Sequence, residues 1–213
     1  MRLPLEKIIF DKAASLSLIA LFSPVFVAIF LMMVLENIFI PSSRGKIIYR
    51  EKRISAGEPF EILKFRLFKQ KALDKILETE KLIDTKKLEG NKINLTYAGR
   101  IIKPFYFDKL PQLFNILKGD MSLVGPRPVA PANSERLISK GLYSKKLIKA
   151  GLTGYFQAQK DKIPPPNQEE SDMAYIDFCR DNSGWRIVME DIKIILSTVL
   201  TVLRAKGVYR HHI

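Results

Sequence analysis

From Ala13 to Leu35 the chain carries no charged side chain, and Ser23-Pro24 interrupts that run near its middle. No other feature restricts the fold so strongly. About 20 apolar residues in helical conformation span the hydrocarbon core of a bilayer. A run this long with no small-residue cleavage pattern at its end is not a secretory leader; a buried helix of a soluble protein is the competing reading. Proline removes a backbone donor and clashes with the preceding turn, so it bends a helix. A neighbouring Ser hydroxyl satisfies a carbonyl that the bend frees. Ser23 and Pro24 are therefore read as a membrane kink. Lys7 and Lys12 precede the run, and Arg44, Lys46, Arg50, Lys52 and Arg53 follow it. Basic flanks favour the cytoplasmic side. Basic residues at both ends therefore suit a broken helix that dips into the bilayer and returns.

The 213 residues suffice for one domain with a real core, and the formal net charge of +13 favours anionic partners. Phosphate-bearing substrates and an anionic membrane face fit that charge. A nucleic-acid partner is not expected, because no aromatic-basic stacking motif or recognition helix accompanies the charge. A single cysteine, Cys179, excludes an intrachain disulfide and argues against a cysteine-built zinc site. No Gly-rich phosphate loop, dinucleotide fingerprint or internal repeat is present.

After the apolar run, Lys46–Ile54 and Pro59–Leu67 alternate in polarity around Ser55-Ala56-Gly57-Glu58, the pattern of a hairpin. Residues 68–92 read as one exposed amphipathic helix and a loop ending at Gly90-Asn91. Glu78 and Glu80 lie two apart, so on a helix they do not face one another. Ala132 to Lys149 reads as a basic helix, and Pro164-Pro165-Pro166 breaks regular structure. Trp185 to Ala205 reads as a last amphipathic helix with Ile187, Val188, Ile192, Ile195, Val199 and Val202 as its apolar stripe. That stripe packs on the core by default, with the membrane interface as the other option. His211-His212 has no metal spacing and receives no role.

The densest chemistry lies in Asp108 to Pro128, DKLPQLFNILKGDMSLVGPRP. Leu113, Ile116 and Leu117 share one helical face, and Pro111 suits a first turn. Asp108 then falls at or just before the positive end of that helix, where a carboxylate stays ionised and an anionic ligand is welcome. Gly119 closes the helix, and Gly125 with Pro126 and Pro128 stiffens a loop that aims Arg127. An Arg fork on a stiff loop suits phosphate. Taken as residues alone, the same stretch also reads as a capping Asp, a core helix and a surface turn.

This stretch resembles the catalytic segment of the bacterial sugar transferase family, the monotopic phosphoglycosyl transferases. The resemblance rests on Asp108, Leu110-Pro111-Gln112, Asn115, Leu117 to Val124, and Gly125-Pro126-Arg127-Pro128. Beyond it, Lys64-Phe65-Arg66, Gly99-Arg100, Gly151-Leu152-Thr153-Gly154 with Gln157, and Asp172 with Tyr175 follow the family pattern. It covers nearly the whole chain from about residue 5 and implies a compact member without an extra N-terminal helical bundle.

The implied fold is α+β. A re-entrant N-terminal membrane helix occupies residues 1–40, and a β-hairpin with a helical cytoplasmic catalytic domain occupies 41–213. The implied enzyme moves a phospho-sugar from a UDP-sugar to a polyprenyl phosphate such as undecaprenyl phosphate. It would work on the cytoplasmic face of the bacterial inner membrane, in the first membrane step of exopolysaccharide or lipopolysaccharide synthesis. Mg2+ assists. The resemblance makes Asp108 the nucleophile, with Lys109 beside it as the second catalytic position. It makes Lys103, Gln112, Arg127 and Arg66 substrate-binding residues, although Arg66 also reads as structural support. Asp108 and Asp120 become metal ligands, and membrane lipids join the substrates as partners. The oligomeric state is open.

The sequence departs from the family at one catalytic position: the usual Asp-Glu dyad is Asp108-Lys109 here. An ammonium keeps a neighbouring carboxylate ionised and holds phosphate as a point charge. It also weakens metal binding and removes one carboxylate. The alternative implied is an impaired or inactive member that binds lipid or nucleotide sugar, or regulates an active enzyme.

Overall fold

The computed structural model describes residues 1–80, 88, 91–159, 164 and 166–203. Among these the fold is α+β. In chain order, α1 (Leu5–Leu21) and α2 (Ser23–Phe39) lead into a hairpin of β1 (Ile48–Ser55) and β2 (Glu58–Phe65). Next come α3 (Gln70–Glu80), α4 (Tyr97–Ile102), α5 (Gln112–Lys118) and β3 (Ser122–Val124). The chain continues through α6 (Pro131–Ser139), α7 (Ser144–Leu147), β4 (Gly151–Thr153), α8 (Tyr155–Ala158), α9 (Gln168–Asp181) and α10 (Gly184–Leu203).

Packing groups the chain into two compact units interleaved in sequence. The first holds Met1–Leu16, Lys52–Ile62 and Phe114–Ile213; the second holds Ser17–Glu51 and Leu63–Leu113. The sequence boundary near residue 40 follows hydropathy, whereas these units follow contacts.

The kink between α1 and α2 has a local cause. Pro24 has no N–H to give to the carbonyl of Ala20, and the Ser23 hydroxyl donates to that carbonyl at 2.8 Å. Helical bonding runs up to the break, with Phe22 N donating to Leu18 O, and resumes after it, with Phe26 N donating to Phe22 O, each at 2.9 Å. Among the described residues no single helix is long and apolar enough to cross a membrane. Together α1 and α2 are, and they are bent by 59° at the break. Along α2, Val27, Phe30, Leu31, Leu35, Ile38 and Phe39 are exposed, while Ile29 and Met33 are buried.

In the second unit, Ile29 and Met33 of α2 pack with Phe65 of β2 and with Ala98 and Ile102 of α4. Phe26 meets Phe65 with ring centroids 5.8 Å apart. A smaller cluster joins Phe68, Leu73, Leu88 and Leu95. The hairpin turn is Ala56-Gly57, both at positive φ (51° and 86°), the twist that a two-residue turn between paired strands requires.

In the first unit, β3 pairs with β4 in parallel, Ser122 opposite Gly151 and Val124 opposite Thr153. The sequence reading did not anticipate these short strands, which lack any alternation to betray them. The basic helix expected over Ala132–Lys149 is broken: Gly141, at φ 77°, separates α6 from α7. Lys145 is buried there and pairs with buried Asp172 of α9. Burial pushes the Asp172 carboxyl upward, and the Lys145 ammonium opposes that shift.

The final helix also differs from expectation. Of the anticipated stripe it buries Ile187 and Val188, half-buries Ile192 and Ile195 and leaves Val199 and Val202 exposed, while Asp191, Ile194 and Thr201 join the buried face. Trp185, Met189, Leu196, Leu200 and Leu203 follow one another at helical spacing and are all exposed. The helix thus has an apolar outer face as well as a packed one. Residues 204–213, including His211 and His212, and most of 81–90 lie outside the described residues.

Candidate functional site

The segment bearing Asp108 is built on α4. Thr96 caps that helix by accepting the N–H of Gly99 at 2.8 Å. Glu36, at the end of α2, accepts the N–H groups of Tyr97 and Ala98, both at 2.8 Å. Gly99 is required because any Cβ there would overlap the Leu67 carbonyl. After α4 the chain makes two 3-10 turns, Lys103–Phe105 and Phe107–Lys109, with Tyr106 between them at φ 58°, ψ 20°. Phe107 and Leu110 pack on the α2–α4 cluster, while Phe105 is exposed and stacks on Phe107 at 5.6 Å.

Proline again explains the geometry. In a continuous α-helix the carbonyl of Phe107 would take its bond from residue 111, but Pro111 has no N–H. Leu110 N donates to it instead at 3.2 Å, which tightens the turn. Asp108 therefore sits in its own turn, and α5 begins only at Gln112. Of the two expected placements, at or just before the helix start, Asp108 takes the second, in a separate turn ahead of Gln112. Asp108 as a residue is 8% exposed. Lys109 places its Nζ 4.7 Å from the centroid of the Tyr106 ring. Lys103 and Lys109 are both half-buried, and Gln112 is buried in the first turn of α5.

Arg66, expected as a substrate-binding or supporting residue, has its donors engaged by the protein itself. It is 2% exposed, and its guanidinium donates to the carbonyls of Lys46 (2.8 Å), Phe68 (3.0 Å) and Ser43 (2.6 Å) and to Asn37 Oδ1 (3.1 Å). It ties the end of α2 to the hairpin, which fits the structural-support reading and leaves it no face for a phosphate. Burial lowers its pKa, against the raising effect of Glu36.

Asp120 and Arg127 belong to the first unit, whereas Lys103, Asp108, Lys109 and Gln112 belong to the second. The Asp120 carboxylate accepts Asn115 Nδ2 at 3.2 Å and faces Lys118 Nζ at 3.6 Å. Its carbonyl accepts the Ser55 hydroxyl at 2.6 Å. Arg127 is exposed just after a backbone knot in which Gly125 N donates to Thr153 O and Gly151 N to Pro126 O, each at 2.9 Å. Gly125, Gly151 and Gly154 permit this approach, since a Cβ on any of them would collide with main chain.

The sequence reading missed the buried charges that hold β3. Asp11 accepts the Ser122 hydroxyl at 2.7 Å and the Leu123 N–H at 3.2 Å. Lys7 lies 3.5 Å from Asp11 and donates to Asp191 at 2.5 Å, and Tyr175 donates its hydroxyl to Asp191 at 2.7 Å. Lys7 is thus fully buried rather than a basic flank facing lipid headgroups; Lys12 remains exposed. Burial raises the Asp191 carboxyl, opposed by Lys7, and raises the Tyr175 phenol, reinforced by Asp191. The available signal was Lys7 and Asp11 at i, i+4 on the face of α1 that also carries Ser15.

No three His, Cys, Asp or Glu side chains cluster as a metal cage among the described residues. Magnesium needs no such cage when it is carried on substrate phosphates, because one or two carboxylates then suffice. Asp108 is a buried carboxylate of that kind, whereas Asp120 is already engaged by Asn115 and Lys118.

The pattern of the bacterial sugar transferase family matches residues 3–205. A UDP-glucose:undecaprenyl-phosphate glucose-1-phosphate transferase of Caulobacter vibrioides is 32% identical over 211 residues, 96% of this chain and 72% of that protein. The exopolysaccharide production protein ExoY of Rhizobium meliloti is 31% identical, across 94% of this chain and 86% of its own. An undecaprenyl-phosphate galactose phosphotransferase of Salmonella typhimurium is 30% identical across 94% of this chain, but only 41% of that longer protein is covered.

Proposed function

The chain belongs to the bacterial sugar transferase family, and from that premise we propose that it transfers a sugar phosphate from a UDP-sugar to undecaprenyl phosphate, with Asp108 as nucleophile. An Asp108 carboxylate oxygen attacks the sugar-bearing phosphorus, the bond between the two phosphates breaks, and UMP departs. The phospho-sugar remains on Asp108 as an acyl phosphate. A phosphate oxygen of undecaprenyl phosphate then attacks the same phosphorus, releases the Asp108 carboxylate and forms the undecaprenyl diphospho-sugar. Lys103 and Lys109 flank the nucleophile and carry charge suited to spreading that of the transferred phosphate; Gln112 and Arg127 serve substrate binding. Asp108 would be the carboxylate to hold a magnesium ion, with Asp120 the other candidate, and the ion would supply further charge neutralisation.

The observation that carries this reading is Asp108 itself: an acidic residue only 8% exposed, in a turn built onto the α2–α4 core, with a lysine on each side in sequence. The bent, apolar α1–α2 pair supports a membrane location, dipping into the cytoplasmic leaflet and returning, with the catalytic region on the cytoplasmic side. Taken by itself, the exposed apolar face of α10 suits contact with lipid.

The test is UMP release by the purified full chain in lipid nanodiscs, with Mg2+, undecaprenyl phosphate and a panel that includes UDP-glucose and UDP-galactose. Release with at least one donor, dependent on the acceptor over many turnovers, is expected. Silence across the panel would favour the other reading, a member that binds lipid or nucleotide sugar without turnover.

A further inference from the structure

Two non-glycine residues have positive φ among the described residues: Ala56 in the hairpin turn, and Tyr106. At φ 58°, ψ 20°, Tyr106 puts an aromatic side chain where the Cβ crowds the backbone and glycine would sit at no steric cost. Strain of this kind persists when the residue supplies something glycine lacks. Here that is the ring. Lys109 Nζ stands 4.7 Å from its centroid, inside the distance of roughly 6 Å at which an ammonium is attracted to an aromatic face. Lys109 N also donates to Tyr106 O at 3.1 Å, closing the turn that contains Asp108. Ring, carboxylate and ammonium therefore belong to one turn. A lysine stem is long and flexible, so an ammonium with no surface to rest on spreads over many rotamers. The ring restricts that spread within the turn that holds Asp108, at the sequence position where the family's dyad carries glutamate.

We infer that Tyr106 is a positioning residue for Lys109: its ring, presented by a left-handed backbone, sets the ammonium beside Asp108 to take up charge from the transferred phosphate. This rests on the reading of Asp108 as the nucleophile. It makes Tyr106 and Lys109 a matched pair, so that the departure at Lys109 is an adaptation of the site. It also separates two properties that a structural tyrosine would link. The ring serves turnover, whereas the backbone conformation costs stability.

The experiment measures UMP release by the purified full chain in nanodiscs, with undecaprenyl phosphate and the UDP-sugar donor that the wild type accepts, alongside thermal unfolding. Tyr106→Phe keeps the ring and should keep kcat. Tyr106→Leu should lower kcat and kcat/KM together by about tenfold, with KM unchanged. Tyr106→Gly should lower kcat similarly while leaving Tm unchanged or raising it. In a Lys109→Ala background, Tyr106→Leu should have no further effect. Unchanged kcat in Tyr106→Leu, a loss from Tyr106→Leu as large in the Lys109→Ala background as in the wild type, or a fall in Tm that tracks the fall in kcat through Tyr106→Gly would overturn the inference while leaving the nucleophile in place. A wild type that releases no UMP overturns the reading of Asp108 and this inference with it.

Discussion

The carboxylate of Glu36 accepts the main-chain N–H of Ala98 at 2.8 Å, with both residues buried. The same carboxylate takes the N–H of Tyr97. The first charge after the uncharged run thus serves as a helix cap some sixty positions along the chain, on the helix that leads to Lys103 and Asp108. Glu36→Ala would leave two donors at the start of α4 unpaired, one of them buried, at about 1–3 kcal/mol for each buried group left unsatisfied. We expect chemical denaturation in detergent to show a loss of about 2–4 kcal/mol, with Glu36→Gln intermediate because it keeps one acceptor. Equal stability of Glu36→Ala and wild type would show that water takes over the cap.

The knot of glycines at β3 and β4 makes a second prediction. A Cβ on Gly151 would overlap the nitrogen and oxygen of Gly125, neither of which can move without breaking the β3–β4 pairing. At Gly119 the obstacle is only a φ of 86°, with a flexible lysine end nearby. Gly119→Ala should therefore cost about 1–2 kcal/mol of backbone strain, and Gly151→Ala at least about 3 kcal/mol, since main chain must shift. Denaturant midpoints for the two variants give the ranking directly; a reversed order would mean that this pairing is not a stability element.

Much of this arrangement was legible in the sequence, and what was hidden shares a physical cause. The Ser23-Pro24 break, the hairpin turn at Ala56-Gly57 and the Leu113/Ile116 face of α5 each arise from local backbone chemistry or one short periodicity. Residue order displays these. Contacts between distant segments have no such local trace. Ser122-Leu123-Val124 becomes a strand only because Gly151 to Thr153 lies beside it. Lys7 counts as a membrane flank until Asp191 is found against it, and the two lie 184 positions apart. Arg66 carries a phosphate-binding residue type, but three carbonyls and Asn37 claim its donors. Motif order singled out Asp108 as the candidate nucleophile. It did not reveal that Pro111 confines Asp108 to a separate turn, or that Tyr106 lies under Lys109.

Asp108→Asn keeps the shape of the side chain and removes its nucleophilic charge. We expect UMP release to fall by at least about 10³-fold, as it does when a covalent nucleophile is lost. Wild-type turnover in Asp108→Asn would exclude a covalent role. Lys109→Ala should cost roughly 10²–10³ in kcat, the usual effect of removing one charge contact to a reacting group. If the site has instead decayed, the wild type is silent and Lys109→Glu, which restores the family's dyad, gains activity. The two accounts thus predict opposite signs for the same position.

The last prediction concerns how the chain enters the membrane, and Cys179 makes it cleanly testable. Desolvation by burial, more than any neighbouring charge, pushes the Cys179 thiol up to about 11, from 9.0. At pH 8 roughly one thiol in a thousand is then ionised, so Cys179 should ignore maleimides in the folded protein and react on unfolding. Because folding raises this pKa, its contribution to stability is intact below pH 9 and is lost as the pH climbs through 11. With the native thiol silent, cysteines introduced at Glu6 and Gly45 report topology without background. If the pair bent by 59° at Ser23-Pro24 is re-entrant, both positions stay protected from an impermeant reagent outside intact cells and react once the membrane is opened. Pro24→Ala returns to the Ala20 carbonyl the donor that Ser23 now replaces. The break then loses its cause, α1 and α2 gain the continuity of a spanning helix, and one of the two positions should become labelled from outside. Labelling of either position in the wild type would establish a true span. Protection of both in Pro24→Ala would show that the basic flanks, rather than the proline, hold the two ends on one side.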